Sequence, residues 1–290
     1  MCGSSYAPDT LLERTDRIGL SVPDADAAAE SYRRLFDTRV VGDEADRVAA
    51  SRRVTLQWGQ DQVELHEPRG EGAAGDFLSQ GRRGLFSGGF ALADPAACAA
   101  RLEREGVRVH EQPGDRYVVL PEDLDGTGVV LSKRVVRERV GLNDKIWQIT
   151  YAVPDLRAAV ERYSRLFGVE ECFTNFYHSD HFGYDGAITW FEARDGGLLD
   201  SLEYLEPTDD GVAVDRFVRR CGTGIYMCSI ETDAIPEIRR RVEAGGPGWD
   251  GDRAAAFIHP RRLHGLLVGL VEYGAWNARR PLPDQTASSH

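Results

Sequence analysis

The chain is poor in the features that would place it at once. Its 290 residues hold five cysteines, at positions 2, 98, 172, 221 and 228, with no Cys-x-x-Cys pair. An odd, scattered set argues against a disulfide framework and a four-cysteine zinc site, and fits free thiols in a reducing cytoplasm. No apolar run approaches the ~18 residues of a membrane span. The N-terminal Met1-Cys-Gly-Ser-Ser-Tyr6 has no charged stretch leading into an apolar one, so no secretory signal is expected. Positive charge is short as well: 35 Lys and Arg against 47 Asp and Glu leave a net charge of −12. Phosphate binding needs clustered cations, so the expectation is a cytoplasmic protein with neither nucleic-acid nor membrane partners.

What the chain does have is a stretch written twice. Val22-Pro-Asp-Ala-Asp-Ala-Ala-Ala-Glu-Ser-Tyr-Arg-Arg-Leu-Phe36 returns as Val153-Pro-Asp-Leu-Arg-Ala-Ala-Val-Glu-Arg-Tyr-Ser-Arg-Leu-Phe167, 131 residues later. Val, Pro-Asp, the Ala pair, Glu, Tyr and Arg-Leu-Phe recur in register, which reads as a duplication. Each copy follows an alternating, strand-like run, and Pro-Asp ends that strand. Asp24 or Asp26 can cap the helix that follows. In the first copy Ala28, Tyr32, Leu35 and Phe36 share one helical face.

Around these anchors the periodicity predicts strand-like runs at 17–22, 40–41, 53–58 and 62–66, then a Gly-rich, charged linker over 69–84. A second unit has strands at 88–92, 107–109, 116–120 and 128–131 around a helix over 95–105. The third unit opens at 146–153 and closes at 201–205. The fourth runs from a strand at 225–230 through a helix over 236–244 to strands at 257–258 and 266–271. Each unit reads β-α-β-β-β, giving an α+β chain of four βαβββ units in two pairs. The expected division is a flexible lead-in (1–14), an N-terminal domain (15–135), a linker (136–144), a C-terminal domain (145–280) and a tail (281–290).

The strand-Val-Pro-Asp-helix-Leu-Phe openings, with the closing Glu64-Leu-His-Glu-Pro68 and Glu203-Tyr-Leu-Glu-Pro207, resemble the vicinal oxygen chelate superfamily. That group includes glyoxalase I, bleomycin-resistance proteins, methylmalonyl-CoA epimerase and extradiol dioxygenases. The resemblance implies two tandem glyoxalase-like domains. In each, two units form a cupped, incompletely closed barrel that holds a divalent metal. In the family a ligand stands on the first strand of every unit and another on its closing strand. Mapped here, the first-strand positions are Arg17, about Ser87, Gln148 and about Met227. The closing positions are Glu64, about Ser132, Glu203 and about Gly269.

A tight divalent site needs about three or more protein ligands, so the N-terminal cup is expected to be metal-free, with Arg17 repelling a cation and favouring an anion or Glu64. Arg17, Glu64 and His66 remain a candidate second polar site, the last two sharing a strand face. In the C-terminal half Gln148 and Glu203 can both enter the cup. Phe257-Ile-His-Pro-Arg-Arg-Leu-His-Gly265 adds His259 and His264 at the cup mouth, where a histidine can ligate a metal or move a proton near neutral pH. His178-Ser-Asp-His181 is a weaker pattern in a polar loop. Asp200-Ser-Leu-Glu-Tyr-Leu-Glu-Pro-Thr-Asp209, Arg216-Phe-Val-Arg-Arg220, Tyr226-Met-Cys228 with Glu231-Thr-Asp233, and the 257–265 motif together resemble 2-epi-5-epi-valiolone epimerase-like proteins of actinobacterial natural-product pathways; Met227 and Gly269 depart from the ligand pattern that a metal-dependent member implies.

Three functions follow. The first is a small-molecule isomerase or epimerase of a carbocyclic, sugar-like pathway, with Mn, Fe, Co, Ni or Zn held by Glu203, His259 and Gln148. His264 or Tyr226 would carry the proton, and Trp147, Tyr151 and Trp190 would contact substrate. The second is a metal-free cup that binds or reshapes a small molecule, as a resistance protein or pathway cyclase does. The third is an extradiol-type dioxygenase with an inactive N-terminal domain; it would need a two-histidine, one-carboxylate iron triad, and this chain has no first-strand histidine for it. A monomer is geometrically complete, and a homodimer is open through edge strands.

Overall fold

The computed structural model describes residues 11–169, 173–191, 200–252 and 256–272. The expected tail over 281–290, most of the lead-in, Cys2 and Cys172 lie outside these residues. The first unit is β1 (Arg14–Ser21), α1 (Ala25–Phe36), β2 (Arg39–Asp46), β3 (Ser51–Trp58) and β4 (Asp61–Pro68). After α2 (Ala73–Ser79) come β5 (Gly84–Leu92), α3 (Pro95–Arg104), β6 (His110–Gln112), β7 (Arg116–Val119) and β8 (Gly128–Lys133). The third unit is β9 (Lys145–Ala152), α4 (Leu156–Phe167), β10 (Thr174–Ser179), β11 (Tyr184–Trp190) and β12 (Ser201–Pro207). Next are α5 (Ala213–Cys221), β13 (Gly224–Thr232), α6 (Ile235–Ala244), β14 (Trp249–Gly251), β15 (Ala256–Ile258) and β16 (Leu267–Glu272).

The duplicated stretch works as its chemistry predicts. Asp24 and Asp155 cap α1 and α4, each carboxylate accepting the amide three residues on at 2.9 Å. The second glutamate of each closing motif does the same job from another strand: Glu67 accepts the Ala25 N–H and Glu206 that of Leu156. These groups satisfy donors that a helix N-terminus leaves unpaired. Asp37 and Gly168 end the helices in the left-handed region, at φ 58° and 66°.

Two eight-stranded sheets result, in the orders β2-β3-β4-β1-β5-β8-β7-β6 and β10-β11-β12-β9-β13-β16-β15-β14. Within a half, the first strand pairs parallel with the last strand of its own unit and antiparallel with the first strand of the next. Both central antiparallel pairings are irregular. The β1–β5 register skips Asp16, and the β9–β13 register skips Trp147. Such a bulge reverses the alternation of side chains beyond it, so Asp16 and Arg17 lie side by side, and so do Trp147 and Gln148.

Both sheets curl until distant strands meet. Arg116 of β7 reaches Glu64 of β4 in the first half. In the second, Phe182 beside β11 meets Phe257 of β15, ring centroids 6.3 Å apart. The outer faces share one core. Phe90 packs on Phe167 and Phe191, and Tyr151 on Tyr163 and Tyr204. Each fully buried ring of this kind contributes roughly 1.5–3 kcal/mol.

Some elements differ from expectation. The 69–84 linker contains α2, whose Ala74 and Phe77 pack on Phe86, Val118 and Val130. The strand expected at 107–109 begins only at His110. The polar loop expected around His178-Ser-Asp-His181 is the tip of the β10–β11 hairpin.

Candidate active site: two cups with different contents

The N-terminal cup is filled by its own charges. The bulge sets Arg17 beside Asp16, which accepts from Nε and Nη2 at 3.0 Å each. The other guanidinium nitrogen reaches Glu64 at 3.1 Å, and Nη2 also reaches the Ser132 hydroxyl at 2.8 Å. Arg116 grips Glu64 bidentately at 2.8 and 2.7 Å, and Arg137 adds a second cation to Asp16. Arg116 and Arg17 hold the Glu64 carboxyl well below the usual carboxylate range against the opposing effect of burial. The same balance of burial and arginines keeps Asp16 low. His66 lies 3.9 Å from Glu64 and shares a hydrogen bond with Ser51 at 2.9 Å. Arg17, Glu64 and His66 are therefore brought together, inside a closed ionic network under α2.

The C-terminal cup has the same frame and other contents. Gln148, in Arg17's place, donates to Ser201 at 3.3 Å and accepts from Ser229 at 3.4 Å. Glu203, in Glu64's place, accepts the Tyr177 phenol at 2.5 Å and the Thr150 hydroxyl at 2.7 Å. Tyr177 reaches it across β11 at Gly186, where any Cβ would run into the tyrosine ring. Burial pushes the Glu203 carboxyl up despite these two donors. It pushes the Tyr177 phenol up too, with the facing carboxylate adding to the effect. Trp147, Trp190, Val271 and Ile188 pack at one end of this polar floor. Tyr177, Tyr184, Tyr226 and Phe217 pack at the other, against Val214 of α5. Tyr226 stands edge-on to Phe217, centroids 5.3 Å apart.

Four of the sequence candidates lie elsewhere. Tyr151 is fully buried on the outer face of β9, against Tyr163 and Tyr204; ordinary alternation sets it opposite Gln148, and the bulge at Trp147 sets it opposite Trp147 as well. His259 is exposed where β15 has ended, its Nδ1 accepting the Arg261 N–H of the following 3-10 turn. His264 takes a left-handed φ of 54° and turns to α1 of the first half, Nε2 3.0 Å from the Ser31 hydroxyl. His178 is exposed and bound to Asp185 and Asp180. The two closing positions taken as equivalent are also offset: Ser132 pairs with Ala91, whereas Gly269 pairs with Ser229 and thus matches Val130.

A resident divalent ion does not fit either donor set. In the first cup Glu64 is neutralised by two arginines. In the second the Glu203 oxygens are held by two hydroxyls, the Gln148 amide by two more, and Gly269 offers no donor. The Met227 methyl and the Ser229 hydroxyl stand 2.8 and 3.0 Å from where a Cβ on Gly269 would be. Among the described residues, no three His, Cys, Asp or Glu side chains cluster.

The four-unit order and the paired cups agree with comparison to known proteins. A family model for the Glyoxalase/Bleomycin resistance protein/Dioxygenase superfamily matches residues 16–118 and 147–253. The chain belongs to that superfamily. A search of the curated proteins found no match. Among solved structures, a triple mutant of 4-hydroxymandelate synthase from Streptomyces coelicolor aligns with a TM-score of 0.67 at 14% identity, over 90% of this chain and 92% of that one. A xylose isomerase-like TIM barrel/4-hydroxyphenylpyruvate dioxygenase fusion protein aligns at 0.61 and 13%, over 96% of this chain and 53% of that one. A Streptomyces coelicolor methylmalonyl-CoA epimerase, in complex with 2-nitronate-propionyl-CoA, matches 46% of this chain and 100% of its own at 0.40 and 24%. At these identities the likeness to the first two is one of fold. No helix among the described residues is long and apolar enough to cross a membrane.

Proposed function

We propose that the C-terminal cup binds a small molecule directly, with no metal ion between protein and ligand. Glu203, Gln148 and Tyr177 supply the polar floor. Trp190, Trp147, Tyr184 and Phe257 supply apolar walls, the usual make-up of a small-molecule site. One observation carries this reading. The side chains at the family's ligand positions are hydrogen-bonded to neighbouring hydroxyls or replaced by glycine and methionine. The N-terminal cup, closed by its own ion pairs, serves as scaffold.

A proton-transfer reaction at the same carboxyl is the second reading. It is supported by the raised Glu203 pKa and by the phenol touching it, since a carboxyl tuned upward by burial suits acid–base work near neutral pH. In that case the chain would be an isomerase or epimerase acting through Glu203 rather than through a metal chelate.

The test is a thermal-shift screen of small polar and aromatic molecules against the full chain, run with chelator and again with manganese or zinc. Ligands that raise the midpoint equally in both series are expected. Ligands that act only with the added ion would overturn the metal-independent reading.

A further inference from the structure

The two cups differ most in how they treat one carboxylate. Among the described residues, every buried Asp and Glu has a guanidinium or ammonium nitrogen within 4 Å. Half-buried Glu203 has no such nitrogen: its partners are two hydroxyls. Its counterpart Glu64 is held by Arg17 and Arg116. In the C-terminal half Gln148 replaces Arg17. Among the described residues, no cation takes the place of Arg116: the side-chain partners of Glu203 are Thr150 and Tyr177. Among the described residues the duplicated frame thus retains the anion without the cations that face it in the first half.

We propose that the ligand of the C-terminal cup is an organic cation, an amine on a flat apolar body, whose charged nitrogen takes the place beside Glu203 that arginine takes beside Glu64. This rests on the reading of that cup as a ligand site. The chemistry is complementary at both ends. A carboxylate accepting two hydrogen bonds retains lone pairs for an ammonium donor, and charge-assisted bonds are the stronger kind. The surrounding rings add to it. Tyr177 and Tyr184 stand 6.2 Å apart at 79°, and Phe182 stacks on Tyr184 at 6.0 Å and meets Phe257 edge-on. Aromatic faces attract cations and stack on flat bodies. A carboxylate ligand would instead meet an unneutralised anion.

The test uses the full chain with chelator present and three matched probes: phenethylamine, 2-phenylethanol and 3-phenylpropionate. Affinities are read by calorimetry or ligand-observed NMR. The amine should bind about tenfold or more tighter than the alcohol, a difference of about 1.4 kcal/mol, with the acid weakest. That preference should vanish in Glu203→Gln. It should vanish too in Gln148→Arg, which rebuilds the internal pair of the first cup and whose fold is checked by circular dichroism. An alcohol that binds as well as the amine would overturn the cation and leave the ligand site standing. An amine preference that survives Gln148→Arg would overturn it as well. If none of the three binds, the cation and the cup reading fall together.

Discussion

Gly186 decides how closely Tyr177 approaches Glu203. The tyrosine ring lies across the β11 backbone where a side chain would otherwise stand, and its hydroxyl ends on the carboxylate at 2.5 Å. Gly186→Ala forces the ring away, so overpacking and the lost hydrogen bond act together. A loss of about 1–3 kcal/mol is expected in urea unfolding. Gly42→Ala, on β2 of the first half, has its nearest neighbour at an ordinary 3.5 Å and should stay within about 0.5 kcal/mol. Equal effects would show that the crowding at Gly186 is relieved without moving the tyrosine. Glu203 and Gln148 were legible in the sequence because the repeat places them opposite Glu64 and Arg17. Thr150, Ser229 and Arg116 were not. Their bonds join residues 53, 81 and 52 positions apart, and the strand register that brings them together leaves no local pattern. Tyr151 misled for a related reason: one bulge at Trp147 sets the two on opposite faces.

At the scale of elements, the two helices outside the repeated units matter most for the cups. α2 packs over the first through Ala74 and Phe77, and α5 over the second through Val214. Arg82 ties them together. Its guanidinium donates to Cys221 O and Thr223 O at the end of α5 (2.9 Å each) and to Gly126 O at 3.2 Å, while lying over the Phe77 ring. Removing it in Arg82→Ala leaves carbonyls at a helix C-terminus without their donor. Hydrogen bonds from a charged group are worth about 1.5–3 kcal/mol, so amide exchange in α5 and the turn after it should speed up by about tenfold or more. Exchange in β9 and β13 should change far less. A uniform acceleration would mean that Arg82 supports the whole fold rather than this helix. The four βαβββ units were legible because each of the first three opens with an Asp cap at the end of a strand. α2 was hidden by Gly70, Gly72 and Gly75 around a single short apolar face. The β10–β11 hairpin read as a loop because its outward residues, Phe176 and His178, are exposed and break the expected alternation.

The whole molecule is closed by a reciprocal clasp between its halves. Asp61, at the head of β4, accepts the backbone N–H of Ile146 in β9 at 2.6 Å. Asp200, just before β12, accepts that of Thr15 in β1 at 2.8 Å. Each aspartate meets the backbone beside the other half's bulge, where the register skip interrupts the ladder. Burial drives the Asp61 carboxyl up to about 8 against its Arg14 partner, and Asp200 up to about 6 against Lys145. An unfolded aspartate titrates near ~3.9. Between about 4 and 8 the folded chain therefore binds more protons than the unfolded one, and stability falls as pH rises through that window. Asp16 and Glu64 act in the opposite sense: their depressed values contribute stability above about 4 that is lost on further acidification. The two effects place the maximum in mildly acidic solution. From pH 6 to pH 8 the unfolding free energy should drop by on the order of 1–2 kcal/mol, measured by urea titration at constant ionic strength. Asp61→Asn retains an oxygen for the Ile146 amide and removes the titration, so its slope over the same range should be much flatter. A variant as steep as the parent would assign the pH dependence to other groups and leave the clasp as a pair of hydrogen bonds alone.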